Sequence, residues 1–267
     1  MFFSPLPGEY IASAIRRGNE LLGTNGVKLS DYTIKSKKTR GNSNTQDVRI
    51  NIPAHFKDNK IAMRVLYENT LYPLAAILGQ ISSNCRYTPT RKLKICPQCV
   101  VEDIERVGTA YLHLKHQLES VNLCSEHAVK LHITCPVCQK KFTSHQIFHL
   151  IECSRFYYSE APRHGSGPHQ YSIFIRDLLQ YRGKPLKNSA AMQYFTKRMR
   201  DRYGADPGGK WGHFLWTDIS EKTESDMSLT WDFRRKLNET AAVQFVLFGS
   251  ASNYQKAFKN AERIEHY

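Results

Sequence analysis

Apolar residues recur every three to four positions along most of the chain, a spacing that predicts a mainly helical protein. The first apolar stripe lies in residues 5–23 and ends at Gly23, a residue type that often closes a helix. A second lies in residues 51–78, where Pro73 interrupts it. Residues 24–47 between them are polar and predict an exposed loop.

The periodicity stops again at residues 155–169, which contain two prolines and two glycines and predict a linker. Helical stripes return beyond it. The last two predicted helices are separated by a tight turn at Gly249, which loosely fits a helix-turn-helix; ordinary helical packing is the alternative. These breaks predict three units: residues 1–90 (helical), residues 91–155 (cysteine-rich) and residues 156–267 (helical).

The composition of the 267-residue chain excludes two classes of protein. With 41% hydrophobic residues it can bury a core, which argues against wholesale disorder. Its longest mostly apolar stretch, residues 241–248, is far shorter than the ~20 residues of a membrane helix. The N-terminus lacks the pattern of a signal peptide, so we expect an intracellular protein.

The chain carries a formal charge of +14, which suits a polyanionic partner such as double-stranded DNA. The surplus lies mostly outside the cysteine-rich segment. The candidate DNA contacts occur in the polar loop and in the C-terminal helices: Lys35, Lys37, Lys38, Arg40, Arg198, Lys256, Lys259 and Arg263. A solvated, non-binding surface is the alternative for each group.

Two ligand pairs predict a structural zinc site. Cys96 and Cys99 form a C-x2-C knuckle, and Cys124 and His127 form a C-x2-H pair, which together supply four ligands to tetrahedral Zn²⁺. A redox pair would not explain the second pair, and an iron–sulfur site would prefer four thiolates. Four protein ligands leave no position for a catalytic water.

A third knuckle, Cys135 and Cys138, predicts a second zinc site with Cys153. Position 156 is phenylalanine, so we expect His149 to be the fourth ligand, with His145 as the less favoured choice. The alternative is that these thiols pack as small apolar residues. The fold class expected is therefore mainly α with a small zinc-ribbon or zinc-finger module, flanked by helical, helix-turn-helix-like units.

No catalytic motif is present: there is no phosphate-binding loop, nucleophile elbow or H-E-x-x-H helix. We therefore expect no enzymatic activity and no catalytic residues.

Residues 96–142 resemble the TniQ family, whose pattern is a CPxC knuckle, an acidic stretch, an HQL turn, a CxxH pair and a further CxxC. The residues between the knuckles that fit are Tyr111, His116, Gln117, Leu118, Val121 and Leu131. The segment PLPGEYIASAIRRG is similar to the family's opening Pro-x-Glu-x-x-x-Ser-x-x-x-Arg, and LYENTLYPLAAIL is similar to its segment before the finger, especially in the TnsD branch. The resemblance covers residues 4–142.

This resemblance implies a cytoplasmic, nucleoid-associated bacterial protein that selects targets for Tn-seven-like transposons. Such an adaptor binds attachment-site DNA and recruits the AAA+ regulator TnsC. The alternative is an adaptor that rides on a CRISPR Cascade complex with little DNA binding of its own. The family also carries helix-turn-helix elements and a pair of zinc sites, of which the second lacks its usual fourth cysteine here. A homodimer is an open alternative.

Overall fold

The computed structural model describes residues 4–23, 34–37, 47–50, 59–81, 87–88, 92–158, 160–186, 188–205, 210–224 and 237–264. Within these ranges, side chains are described except at 34–37, 47–50, 59–62, 188–194 and 259–264. None of the helices in this part of the chain is long and apolar enough to cross a bilayer.

The described residues are mainly helical, as the sequence predicts. The helices are α1 (Ile11–Leu22), α2 (Asn59–Asn69), α3 (Tyr72–Ile77), α4 (Pro97–Val107), α5 (His149–Ser154), α6 (Gly167–Leu178), α7 (Asn188–Tyr203), α8 (Trp211–Thr223), α9 (Leu237–Phe248) and α10 (Ala251–Ile264), with a 3-10 turn at Leu114–His116. Gly23 closes α1 at φ 61°, a left-handed conformation that glycine adopts without strain.

Strand β1 (Ile34–Lys37) and the first residue of strand β2 (Asp47–Ile50) lie where the sequence predicts a polar loop. Strand β1 pairs antiparallel with β2, and Ile34 lies opposite Ile50. Each strand is only four residues long, too short for alternation to stand out from the polar residues around it. The loop prediction is therefore wrong for residues 34–37 and for Asp47.

The predicted linker at residues 155–169 is shorter in the structure. Helix α6 begins at Gly167, and the Ser166 hydroxyl caps it by accepting a hydrogen bond from the His169 backbone N–H. Pro168 lies in the first turn, where a backbone N–H has no acceptor within the helix, so proline loses no hydrogen bond there. The proline and glycine of this stretch therefore start a helix.

Buried apolar side chains form one cluster that extends from α1 through the cysteine-rich segment to α10. Every residue of α9 except Asn238 is buried. The Ser120 hydroxyl contacts the Tyr171 hydroxyl of α6 at 2.7 Å, and the Ser120 N–H donates to Asn238 Oδ1 of α9 at 3.2 Å. The C-terminal helices thus pack directly on the cysteine-rich segment. The three-unit division of the chain stays a prediction.

A buried polar network holds α1 against the cysteine-rich segment. Glu9 is fully buried and accepts hydrogen bonds from the Ser13 hydroxyl at 2.8 Å and from the Arg17 guanidinium at 2.9 Å. The Ser13 hydroxyl also accepts from the Leu112 N–H, and the Tyr10 N–H donates to the Leu112 carbonyl. The Glu-x-x-x-Ser-x-x-x-Arg pattern of the N-terminus therefore has a structural role here.

Candidate metal centres

The four predicted ligands Cys96, Cys99, Cys124 and His127 converge at one point. His127 Nδ1 lies 3.5, 3.4 and 3.6 Å from the three sulfurs, and the Cys99 and Cys124 sulfurs are 3.7 Å apart. A regular tetrahedron with Zn–S of about 2.3 Å and Zn–N of about 2.05 Å separates sulfur from nitrogen by about 3.6 Å and sulfur from sulfur by about 3.8 Å. The donor set and its spacing therefore fit Zn²⁺.

Local backbone structure brings these ligands together. Cys96 is the N-cap of α4, and Pro97 fixes the first helical turn, in which Cys99 lies. On the other side, the Cys124 N–H donates to the Val129 carbonyl, and the chain turns at Ala128 with φ 56°. An antiparallel bridge between Ile95 and His132 joins the two knuckles.

The His127 ring is oriented from outside the cluster. Its Nε2 lies 2.8 Å from Glu102 Oε1 on α4, a contact in which the ring can donate to the carboxylate and keep Nδ1 for a metal. A carboxylate behind a ligating imidazole is a common arrangement at protein zinc sites. Glu102 was not among the predicted site residues, although it follows the ligand Cys99 by three residues, about one turn along α4.

The crowded sulfurs favour a bound cation. Hydrogen bonds from Cys96 and Cys99 lower the pKa of the Cys124 thiol well below its ordinary value. The hydrogen bond to Cys124 in turn raises the pKa of Cys99 far above its ordinary value, since a second thiolate beside the first would be repelled. A divalent cation removes this repulsion and stabilises all three thiolates.

A buried lysine supports the turn between the two knuckles. Lys94 is 4% exposed, and its ammonium donates to the backbone carbonyls of Leu118, Glu119 and Val121. Burial lowers the pKa of Lys94 to about 7. The Gln117 side chain completes the support, because its amide oxygen accepts from the Lys94 N–H and its amide nitrogen donates to the Lys94 carbonyl.

The two histidines upstream of Cys124, His113 and His116, pack inside the protein. His116 is fully buried, and burial lowers the pKa of its imidazole to about 4. His113 Nε2 lies 2.6 Å from Asp103 Oδ2, and the His113 ring stacks on Tyr111. These contacts attach the segment before the turn to α4.

A second cluster of metal-ligating atoms contains Cys135, Cys138, Cys153 and His145, all within 4.8 Å of one another. His145 Nε2 is 3.6 Å from the Cys153 sulfur, which again matches the sulfur–nitrogen spacing of tetrahedral zinc. The sequence analysis chooses His149 at this place, and the structure corrects that choice. His149 is exposed at the start of α5, so its ring lies outside the cluster while the preceding loop turns His145 inward.

Helix α1 holds the loop that carries His145. The Arg16 guanidinium donates to the carbonyls of Phe142 and His145, both at 2.6 Å. One turn later, the Glu20 carboxylate accepts from the N–H groups of Ile147 and Phe148. His145 Nδ1 also lies 2.7 Å from the Gln146 carbonyl, which leaves its Nε2 free to bind a metal.

The two clusters differ in their access to solvent. All three cysteines of the first cluster are buried, whereas in the second cluster Cys138 is exposed and Cys153 half-buried. The second cluster is therefore the more accessible to chelators.

The predicted DNA contacts are only partly within the described side chains. Arg198 on α7 and Lys256 on α10 are exposed. The side chains of the other six lie outside the described residues: Lys35 and Lys37 in β1, Lys38, Arg40, and Lys259 and Arg263 in α10. The Arg198 guanidinium lies 5.1 Å from the centre of the Phe248 ring, close to the turn between α9 and α10.

Comparison with known protein families gives one result. The model of the TniQ family matches residues 1–131 of the chain, a range that contains all four ligands of the first cluster and ends before the second. No curated protein matches the chain at a significant level.

Proposed function

Since residues 1–131 of this chain belong to the TniQ family, a family of transposition target-selection proteins, we propose that it is a non-catalytic adaptor that binds target DNA and recruits the AAA+ regulator TnsC. The observation that carries the proposal is the family match over the segment that builds the first Cys3His cluster. In this proposal zinc is structural: when bound, it cross-links the two knuckles, and four protein ligands leave no open position on it.

The proposed DNA surface is the exposed side of α7. Lys197, Arg198 and Arg200 are exposed there, and none of the three forms an ion pair with another described residue. The neighbouring Arg202 is paired with Asp218 at 2.6 Å. Lys and Arg that are free of acidic partners can replace the counterions of the phosphate backbone.

The adjacent helix pair supports this location. Helix α7 packs against both α9 and α10, and α9 is almost completely buried. After the turn at Gly249, α10 is capped by the Ser250 hydroxyl and exposes Ser252, Asn253 and Lys256. A buried helix, a short turn and an exposed polar helix are the parts of a helix-turn-helix, in which the second helix lies in the major groove.

The test is binding of the zinc-loaded chain to a duplex at several salt concentrations. The DNA-binding adaptor loses affinity steeply between about 50 and 200 mM salt. The triple variant Lys197→Gln, Arg198→Gln, Arg200→Gln is expected to reduce the slope of log K against log salt by up to about three. The control is Lys140→Gln with Lys141→Gln, two exposed lysines in the second cluster's loop.

A flat salt response would contradict the DNA-binding half of the proposal. It would favour the alternative adaptor, which acts through protein contacts with a Cascade complex. A triple variant with an unchanged slope would place the DNA surface elsewhere.

A further inference from the structure

Four large exposed side chains lie within five residues of a ligand of the second Cys/His cluster in the sequence. Phe156 and Tyr158 are 72% and 64% exposed, the highest values among the large hydrophobic side chains described. Ile133 and Val137 are 47% and 41% exposed. We call the exposed surface of these four residues the knuckle face.

Three members of the knuckle face lie next to residues that belong to the cluster or contact it. Val137 lies between the ligands Cys135 and Cys138. Phe156 and Tyr158 flank Tyr157, which is half-buried and places its hydroxyl 3.6 Å from the Cys135 sulfur. The backbone that carries Val137, Phe156 and Tyr158 is therefore anchored before any partner arrives, which lowers the entropy lost on binding.

Basic residues accompany the apolar ones. Lys140 and Lys141 are exposed on the returning arm of the knuckle, where Lys141 bridges to Thr134, and Arg155 is exposed next to Phe156. None of the three basic side chains forms an ion pair with a described residue, and Glu152 is the exposed acidic residue nearest to Arg155 in the sequence. The face thus combines apolar anchors with uncompensated positive charge.

We propose that the knuckle face docks an acidic protein segment that carries apolar anchor residues. Ile133 and Val137 offer no ring on which a base could stack, so the aliphatic half of the face favours a peptide over single-stranded nucleic acid. The charge of Lys140, Lys141 and Arg155 complements acidic side chains around the anchors. This inference deepens the partner-recruiting half of the proposed function and places it away from α7.

The probe is a fluorescein-labelled amphipathic peptide of about fourteen residues, with Leu and Phe on one helical face and Glu and Asp on the other. Its anisotropy is titrated with the full zinc-loaded chain. We expect saturable binding that weakens about tenfold or more in the double variant Phe156→Ser, Tyr158→Ser, and similarly in Lys140→Glu, Lys141→Glu. The matched control is Phe214→Ser on α8, which removes a 44% exposed phenylalanine far from this cluster in the sequence and leaves binding unchanged.

Two altered peptides and one nucleic acid complete the experiment. Replacing Leu and Phe by Ser, or Glu and Asp by Lys, is expected to weaken peptide binding about tenfold or more. The inference would be overturned if the acidic peptide did not bind, or if both double variants bound it as strongly as the unaltered chain does. It would also be overturned if single-stranded oligothymidine bound in place of the peptide and this binding disappeared in the Phe156→Ser, Tyr158→Ser variant.

Zinc content and thermal unfolding of each variant show whether the module is intact. Duplex binding on the same preparations separates this inference from the proposed function. Peptide binding by a chain with no affinity for duplex supports the knuckle face and contradicts the DNA-binding half of the proposed function. Loss of duplex binding in the Phe156→Ser, Tyr158→Ser variant would overturn the inference, since it assigns the two partners to different surfaces.

Discussion

The Glu9–Arg17 ion pair is buried at both ends, with side chains 0% and 8% exposed. Removing one member of a buried pair leaves the other charge unpaired in a medium of low polarity. We expect Arg17→Met to lower the free energy of unfolding by about 3 kcal/mol in urea titrations. The exposed Arg64–Glu68 pair on α2 is the control, and Arg64→Met should change the free energy of unfolding by less than about 1 kcal/mol. Equal effects would contradict the structural role assigned to Arg17.

Lys94 and Lys92 provide a second comparison between a buried and an exposed side chain. Lys94→Met removes the donor for three backbone carbonyls, and we expect a loss of about 2–4 kcal/mol in the free energy of unfolding. Lys92→Met removes a 58% exposed lysine that pairs with Glu119 and should lose less than about 1 kcal/mol. A Lys94→Met variant as stable as Lys92→Met would show that the turn does not depend on this ammonium.

At the scale of elements, α1 and the second cluster depend on each other. Arg16 and Glu20 together bind the backbone on both sides of His145. Burial among these carbonyls removes part of the water shell of the Arg16 guanidinium and lowers its pKa. We expect Arg16→Ala to weaken zinc at the second cluster about tenfold in a competition titration with a chromophoric chelator. The first cluster should keep its affinity, and equal weakening at both would indicate general destabilisation.

The sequence predicted those elements whose signal is local. The stripe that ends at Gly23 became α1, and the buried Tyr254 and Phe258 follow the predicted spacing on α10. The four ligands of the first cluster could be chosen because each knuckle brings two ligands together by short-range geometry. His145 could not be chosen over His149, because the turn of the loop depends on Arg16, more than 120 residues away in the sequence.

Tertiary packing decides which side chains of α8 are buried. Phe214 is 44% exposed, whereas Trp211 is partly buried against the core. Leu215 and Ile219 fill the core from that helix. The face that a helix buries is decided by its neighbours, here α6 and α9, which a single sequence does not specify.

At the scale of the whole molecule, the two Cys/His clusters connect parts of the chain that are distant in sequence. The first cluster joins α4 to the turn that contacts α6 and α9, and the second is bound to α1. Zinc bound at the first cluster would therefore stabilise the common core, and we expect Cys96→Ser to unfold the chain in circular dichroism. Cys138→Ser should leave a folded chain, because that ligand is exposed at the edge. A folded Cys96→Ser chain would contradict the expectation that the fold depends on the first cluster more than on the second.

Two closed metal centres, with His127 and His145 as their nitrogen ligands, are the central feature proposed for this molecule. Native mass spectrometry of the folded chain measures this directly by counting bound zinc. We expect two zinc ions in the unaltered chain and in His149→Ala, and one in His145→Ala. A folded chain without metal, or loss of one zinc in His149→Ala but not in His145→Ala, would contradict the account.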